Sequence, residues 1–469
     1  MKAHFIGISG KGMSAVALLL REKGWEVSGS DEGFYPPVST YLEDAGIFFA
    51  HEYKKENIPT DADVIIIGKN AKLVPETNEE VRAAYESGVR VASFPDMLEE
   101  LTQSKETIVV VGSYGKSTTT ALLSWCLKST GKDPNYFIGE ITRGFAQHAS
   151  LGSSDVFVLE GDEYPSSNID PTPKFLHYNP KNVLLTSATH DHVNVYPTHA
   201  DYLKPFEQLL SSLPEDGLLV ANGDEEHARR LAEAYGKNII FYGMSDTNEW
   251  YPANITFGET TMFDLMRNKE KVVAFSTKLL GSHNIENIVG AAAMLLSKEL
   301  LTPEECAAGV ASFQGVKRRL ELLTQNSTVP VLEGFGSSYE KARSAIEATR
   351  LHFAGRRLIV VFEPHTFSWR NRGAIEWYDS VFTGADRVYI YEPASQGSHS
   401  HEQLSQNNIV ERVSAAGITT VAITSPAETL TLLEKELKED DIVLLLTSGS
   451  FDGLIEGIPA LAEQKFPTA

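Results

Sequence analysis

Cysteine is scarce in this chain, with only Cys126 and Cys306 among 469 residues. A disulfide scaffold is thereby excluded, and a reducing, cytoplasmic setting is expected. No stretch approaches the ~20 apolar residues that a membrane helix needs. The start, MKAHFIGISG, has no signal-peptide layout. Positive charge is in deficit, with 41 Lys and Arg against 63 Asp and Glu and a net charge of −22. That argues against nucleic acid or an anionic membrane as a main partner, but not against an anionic small ligand held by local loops. Repeats and low-complexity tracts are also absent. The length predicts two to four domains, each with its own core.

What is present is organised around residues 108–130, IVVVGSYGKSTTTALLSWCLKST. Ile108 to Val111 reads as a buried parallel strand, broken at Gly112-Ser113-Tyr114-Gly115. Lys116-Ser117-Thr118 then opens a helix expected to end at Gly131. Strand, glycine loop, Lys-Ser and helix form the layout of a phosphate-binding loop. Backbone N–H groups and the helix dipole face a polyphosphate, Lys116 neutralises its outer charges, and the Ser117 hydroxyl reaches Mg²⁺. The full motif has a further glycine where this chain has Val110, so the match is to a shortened form, GxxGK[ST]. The plain alternative is a tight strand-to-helix turn.

The first hundred residues read as one α/β domain. A short strand at His4 to Ile6 leads into Gly7-Ile8-Ser9-Gly10-Lys11-Gly12-Met13 and an apolar helix stopped by Gly24. A second strand ends at Ser30-Asp31, and Val64 to Ile67 supplies another. A glycine loop at a helix start with an acid past the second strand is a Rossmann-like nucleotide site. The glycines run GxxGxG, which supports a nicotinamide dinucleotide poorly and a nucleotide or nucleotide-sugar better. Asp31 can equally be a plain turn residue.

Phe94 to Lys105 reads as a short helix and a hinge. Beyond the phosphate loop, the strand Val156 to Leu159 ends in Glu160-Gly161-Asp162-Glu163-Tyr164. Val183 to Leu185 runs into Thr186-Ser187-Ala188-Thr189-His190-Asp191-His192. Acids and a histidine at the carboxyl ends of parallel strands, beside a phosphate loop, suit a magnesium–nucleotide site. Glu163 fits as an acid on Mg²⁺ and His192 as a ligand of a second metal. Their bland counterparts are a solvated strand-end acid and a surface histidine. Residues 250–280 read as a β-rich excursion, and GSHNIEN (281–287) starts an alanine-rich helix with Asn284 and Asn287 on one face. Recognition of a base by those amides and an ordinary cap both remain open.

QGVKRRLE (314–321) marks a second hinge. Strands at 357–362, 387–391, 420–423 and 442–446 then alternate with helices, as in a third, mostly parallel α/β domain. Its strand ends carry EPHTFSWRNR (363–372), Glu392-Pro393 and TSGSF (447–451). Arg370 and Arg372 have the chemistry to clamp a carboxylate or phosphate, or are surface arginines.

These stretches resemble the Mur ligase family, which joins amino acids or peptides to UDP-N-acetylmuramic acid. The resemblance rests on GISGKGMS with SGSD at 28–31, GSYGKSTTT, GDEY, ATHDH, GSHNIEN and GVKRRLEL, and it spans nearly the whole chain. Residues 30–47, 174–192, 318–322 and 447–454 are similar to members that attach L-alanyl-γ-D-glutamyl-meso-diaminopimelate in peptidoglycan recycling. The resemblance implies three α/β domains: a Rossmann-like UDP-sugar domain (1–103), a central P-loop ATPase domain with a mostly parallel sheet (104–316) and a Rossmann-like domain for the amine (317–469). It implies that ATP phosphorylates the muramoyl carboxylate and that the amine attacks the acyl phosphate, giving amide, ADP and phosphate, in a cytoplasmic monomer or weak homo-oligomer. Lys116 and Arg319, with Arg318 beside it, then serve the phosphates. Ser117, Glu163 and His192 serve Mg²⁺. Gly112, Ser113, Gly115, Thr118, His283, Asn284 and Asn287 serve the nucleotide. Gly7, Ser9, Gly10, Gly12, Met13, Ser14 and Asp31 hold the UDP end, and Arg370 also meets substrate.

The chain departs from the family pattern in several places. Ser113-Tyr114 replaces Thr-His, Gly161 and Pro165 flank Asp162-Glu163-Tyr164, and Thr189 stands where a glutamate is usual. Glu333-Gly334-Phe335-Gly336-Ser337-Ser338-Tyr339 replaces DDFAHHP, so two acids and two histidines reduce to one acid and two hydroxyls. EPHTFSWR has a flavour of the L-alanine-adding members. Rival readings are therefore an alanine-adding or other Mur-type ligase, a non-catalytic UDP-sugar-binding protein and, more distantly, a nicotinamide oxidoreductase.

Overall fold

Short β-branched runs separated by helices leave the strands apolar on both faces, which suits parallel sheets covered by helices. The computed structural model, which describes residues 1–140, 142–192, 195–392 and 403–468, shows three such sheets. Pro393 lies outside the described residues.

The first sheet comprises β1 (Lys2–Ile6), β2 (Glu26–Ser30), β3 (Phe48–Ala50), β4 (Val64–Ile67) and β5 (Arg90–Ala92) in the order β3-β2-β1-β4-β5. Every neighbouring pair is parallel. The helix Lys11–Glu22 follows β1 and buries Met13 to Leu20 continuously. At its start, Gly10 offers no side-chain cap, so the helix N-terminus stays open to a ligand.

The second sheet comprises β6 (Glu106–Val111), β7 (Asn135–Phe137), β8 (Ala149–Ser150), β9 (Val156–Glu160), β10 (Asn182–Leu185), β11 (Leu218–Asn222), β12 (Ile239–Tyr242), β13 (Trp250–Thr256), β14 (Thr261–Arg267) and β15 (Glu270–Thr277). Its order is β15-β14-β13-β12-β11-β10-β6-β9-β7-β8. The β-rich excursion is thus β13 to β15, at one edge of this sheet. β6 is parallel to both β9 and β10, which leave it on opposite sides. The loop after β6 therefore opens at a point where the strand order reverses, the usual ligand crevice of such sheets.

The third sheet comprises β16 (Arg319–Leu322), β17 (Val331–Phe335), β18 (Arg357–Phe362), β19 (Arg387–Tyr391), β20 (Thr419–Ile423) and β21 (Asp441–Thr447). Its order is β16-β17-β21-β18-β19-β20, parallel except at the β16–β17 edge. Part of the expected hinge at 314–321 is therefore strand. Arg319 pairs with Gly334 and Glu321 with Glu333 across a bulge, and Arg318 and Leu320 take φ of 64° and 54°. The bulge lets a short charged segment close the sheet edge.

The chain divides into two compact units. One is Met1–Asn254 with Phe263–Thr277 and His283–Gln314; the other is Gly315–Ala469 with Ile255–Met262 and Lys278–Ser282. Among the described residues no helix is long and apolar enough to cross a membrane.

Candidate functional site

The phosphate loop is closed by the end of β10. Gly112 adopts φ +139°, and a Cβ there would lie 2.2 Å from Thr186 Oγ1 and 2.7 Å from Ser187 N, so only glycine fits. Thr186 N donates to Val111 O at 2.9 Å, and Ser113 N and Tyr114 N both donate to Ser187 Oγ at 3.1 Å. Thr186 and Ser187, which local sequence had shown only as strand run-out, thus hold the loop. Gly115, at φ +84°, starts the helix Lys116–Ser129 with no side-chain cap and no acid in the first turn. The partial positive charge of that helix end is left for an anion. A Cβ on Gly115 would lie 2.7 Å from Asn287 Oδ1, which puts that amide against the loop.

Glu163 is 0% exposed and collects the central charges. Lys116 Nζ lies 3.3 Å from its Oε1 and 3.1 Å from its Oε2, and also donates to Gly112 O. His192 Nε2 and Tyr202 OH each stand 3.1 Å from Oε1. Oε2 is buried and makes no hydrogen bond, with the Lys116 ammonium as its charged neighbour. A buried carboxylate oxygen that makes no hydrogen bond fits a hard divalent cation. The hydrogen bond to Glu163 holds the His192 imidazole above its ordinary value, with burial working the other way. His192 takes φ +56°, and its ring meets Tyr164 edge-on at 4.5 Å. Burial and the Glu163 charge push the Tyr202 phenol up.

Ser117 Oγ donates to Glu160 Oε1 at 2.7 Å rather than to Glu163, and Gly139 N donates to Glu160 Oε2 at 2.7 Å. Glu160, the last residue of β9, is thus a second carboxylate at the site, one that the sequence reading placed among the strand-end acids without a role. Asp162 pairs with Lys174 at 2.5 Å; burial pushes its carboxyl up, but Lys174, the Tyr164 N–H and Lys116 together hold it below the usual range. Thr189 hydrogen-bonds Glu225 Oε1 at 3.3 Å, so an acid stands beside the position where the family glutamate is missing. Thr118 is buried in the first turn of its helix, at 6% exposure.

Of the residues expected at the nucleotide, Asn284 and Asn287 are buried and joined by a 3.3 Å hydrogen bond, while His283 is exposed. Burial lifts the carboxyl of neighbouring Glu286 above its usual range, against a hydrogen bond from Asn222.

In the first domain, Asp31 braces the glycine loop. Its Oδ2 accepts Ser9 N at 3.0 Å as well as the Ser9 hydroxyl, and its Oδ1 accepts Tyr53 OH at 2.9 Å. Gly7 N donates to Ser30 O and Gly10 N to Gly7 O, closing the turn ahead of Lys11 and Gly12. Met13 and Ser14 belong to the packed helix face. Met13 is 4% and Ser14 0% exposed, and the Ser14 hydroxyl contacts Lys11 O and His148.

In the second unit, Arg318 Nε donates to Glu333 Oε1 at 2.9 Å, and its Nη2 donates to Gly449 O at 2.8 Å. Burial raises the Glu333 carboxyl, with Arg318 opposing. Arg319 is exposed on β16, and Arg370 is 6% exposed with Nε 3.4 Å from Thr366 O. Ser338 caps the helix Tyr339–His352 and Ser337 Oγ accepts Lys341 Nζ at 3.1 Å, so both substituted hydroxyls have local partners.

Known proteins share this architecture. Residues 2–106 match the Mur ligase family, catalytic domain, and residues 110–295 the Mur ligase middle domain. The chain is 28% identical to UDP-N-acetylmuramate–L-alanyl-gamma-D-glutamyl-meso-2,6-diaminoheptandioate ligase of Haemophilus influenzae, over 97% of this chain and 98% of that protein. It is 30% identical to UDP-N-acetylmuramate–L-alanine ligase of a Hydrogenobaculum species, over 96% of each. The crystal structure of UDP-N-acetylmuramate–alanine ligase from Thermotoga maritima superposes with TM-score 0.78 at 23% identity, covering 99% of each chain. Phosphate loop, buried acids, three α/β sheets and these relatives agree: the chain belongs to the Mur ligase family of ATP-dependent ligases that form amide bonds.

Proposed function

We propose that the chain joins the carboxylate of UDP-N-acetylmuramic acid to the amine of L-alanyl-γ-D-glutamyl-meso-diaminopimelate, in cytoplasmic peptidoglycan recycling. Residues 1–103 take the UDP-sugar, 104–316 take ATP and 317–469 take the amine. The observation that carries the reading is the gathering of Lys116 and His192 on buried Glu163, with Ser117 held by Glu160, at the open helix end after β6. A carboxylate is a poor electrophile near neutral pH, and transfer of the terminal phosphoryl group of ATP gives it a leaving group. Reactant and ATP are both anionic, so cationic clamping and positioning carry most of the barrier lowering. Lys116 meets the outer phosphates, and Asn284 and Asn287 meet the base. Ser117, Glu163 and His192 would hold Mg²⁺, which supplies charge neutralisation on the phosphates when bound. Arg319 serves the terminal phosphate and Arg370 a substrate carboxylate.

The alanine-adding reading is the rival, supported by the 30% identical relative of that name. Phosphate release is measured with ATP, Mg²⁺ and UDP-N-acetylmuramic acid, offering tripeptide and L-alanine in parallel. Release with tripeptide alone supports the proposal, and release with alanine alone replaces it. Silence with both, while UDP-N-acetylmuramic acid still binds, points to another amine or to a binding protein.

A further inference from the structure

Amide formation removes two protons from the incoming ammonium, one before attack because an ammonium has no lone pair and one as the C–N bond forms, and a positioned base speeds the second transfer. The phosphate-loop site supplies cations and metal-binding groups. The ends of β18 and β21, neighbours in the third sheet, hold a different arrangement. Glu363 follows β18 and is 7% exposed. Its Oε2 accepts the hydroxyl of Thr447, the last residue of β21, and its Oε1 lies 3.3 Å from His365 Nδ1.

The loop after β21 closes over this pair. Gly449 N donates to Thr447 Oγ1 at 2.8 Å, and Gly449 O accepts Arg318 Nη2 at 2.8 Å. A Cβ on Gly449 would lie 2.5 Å from His365 Nδ1 and 2.9 Å from Glu363 Oε2, so a side chain there would break the arrangement. Thr447, Glu363 and His365 thus form a relay. The carboxylate faces Nδ1 and favours the tautomer with the proton on that nitrogen, which leaves Nε2 as the basic one. The His365 side chain is 32% exposed, and among the described residues its Nε2 makes no hydrogen bond. A buried acid orienting a half-exposed imidazole at the carboxyl ends of parallel strands lies where open α/β sheets bind ligands.

We propose that His365 is the general base for the attacking amine and Glu363 its positioning residue, an inference that rests on the ligase reading above. The ammonium loses one proton to solvent before attack. The amine lone pair forms the C–N bond, the second proton passes to His365 Nε2, and the carbonyl–oxygen bond breaks with its electron pair leaving on phosphate. His365 then returns its proton to water. The sequence alone showed the histidine only as part of EPHTFSWR and offered no base.

The test uses the full chain with ATP, Mg²⁺ and UDP-N-acetylmuramic acid, and whichever of the two amines supports phosphate release. Hydroxylamine is offered separately, since it is largely unprotonated at neutral pH and attacks acyl phosphates without a catalytic base. His365→Asn is expected to lower amide formation by about 10²–10⁴-fold while hydroxamate formation stays within a few-fold of the unaltered chain. Glu363→Gln should show the same split, less steeply, with the amine KM little changed. Equal loss of amide and hydroxamate in His365→Asn, at an unchanged melting temperature, would overturn the base role; so would an unchanged amide rate. Absence of both products from the unaltered chain would sink the ligase reading, and the base with it.

Discussion

Lys116 Nζ stands 3.1 Å from Glu163 Oε2, an ion pair whose acid side chain is 1% exposed and whose base is 15% exposed. Each partner compensates the other in the absence of nucleotide. Removing Lys116 leaves buried Glu163 to His192 and Tyr202, so the cost stays below the roughly 3–5 kcal/mol of a fully unpaired buried charge. Lys116→Ala is therefore expected to lower the urea midpoint of the ligand-free chain as well as turnover, the latter by about 10²–10³-fold. Lys116→Ala,Glu163→Ala should recover much of the stability and none of the turnover. A single variant as stable as the starting chain would show that the pair is solvated.

Glu160 fixes the Ser117 hydroxyl at 2.7 Å through one oxygen and Gly139 N at 2.7 Å through the other. Groups that orient a metal-binding side chain typically change metal affinity or activity by about 10–100-fold. Glu160→Gln is expected to raise the Mg²⁺ concentration needed for half-maximal phosphate release by an amount in that range. Titration of Mg²⁺ at saturating ATP reads this out, and an unchanged midpoint would make Glu160 purely structural.

The difference between Lys116 and Glu160 as sequence signals is physical. Strand, glycine turn, lysine, serine and helix lie within a dozen residues, so local sequence reveals Lys116 and its open helix end. The partners that close the loop lie far along the chain. Ser187 reaches Ser113 across 74 positions and Glu160 reaches Ser117 across 43, and only strand order brings them together. Glu160 was visible only as the first of the acids that follow an apolar strand, with nothing local to link it to Ser117. Met13 and Ser14, which the family resemblance implies for the UDP end, have side chains buried on the packed face of their helix, a burial that local sequence did not show. The charged segment at 318–321 resembled a hinge because its strand partner, Gly334, lies beyond an intervening turn.

Asp31 tests the first glycine loop. Its carboxylate accepts from Ser9 and Tyr53 and so holds the turn ahead of the helix at Lys11. Hydrogen bonds to a charged group contribute about 1.5–3 kcal/mol, or roughly 10–100-fold in an equilibrium constant. Asp31→Asn is expected to raise the KM for UDP-N-acetylmuramic acid by that factor with kcat largely kept, because the contact is made equally in ground and transition states. A drop in kcat at unchanged KM would assign Asp31 to the chemistry instead.

His352 makes the second unit sensitive to acid. Its Nδ1 lies 2.8 Å from Gly258 O, where it donates, and its Nε2 accepts Gly281 N at 2.7 Å, so the folded ring needs to be neutral. Burial holds the imidazole below its ordinary value, with the Gly258 hydrogen bond opposing. The unfolded chain therefore binds this proton first as pH falls through about 6.5. Stability is unaffected by this group above that point. It declines below it by at most about 1.4 kcal/mol per pH unit, until the folded ring also protonates. Urea midpoints at about pH 7 and about pH 5 should fall more for the unaltered chain than for His352→Gln, which has no proton to gain. Gln can replace only part of the two-sided hydrogen bonding, so the variant starts lower at neutral pH and its curve is flatter. Parallel curves would mean that the ring accepts its second proton in the folded state without breaking the Gly281 contact.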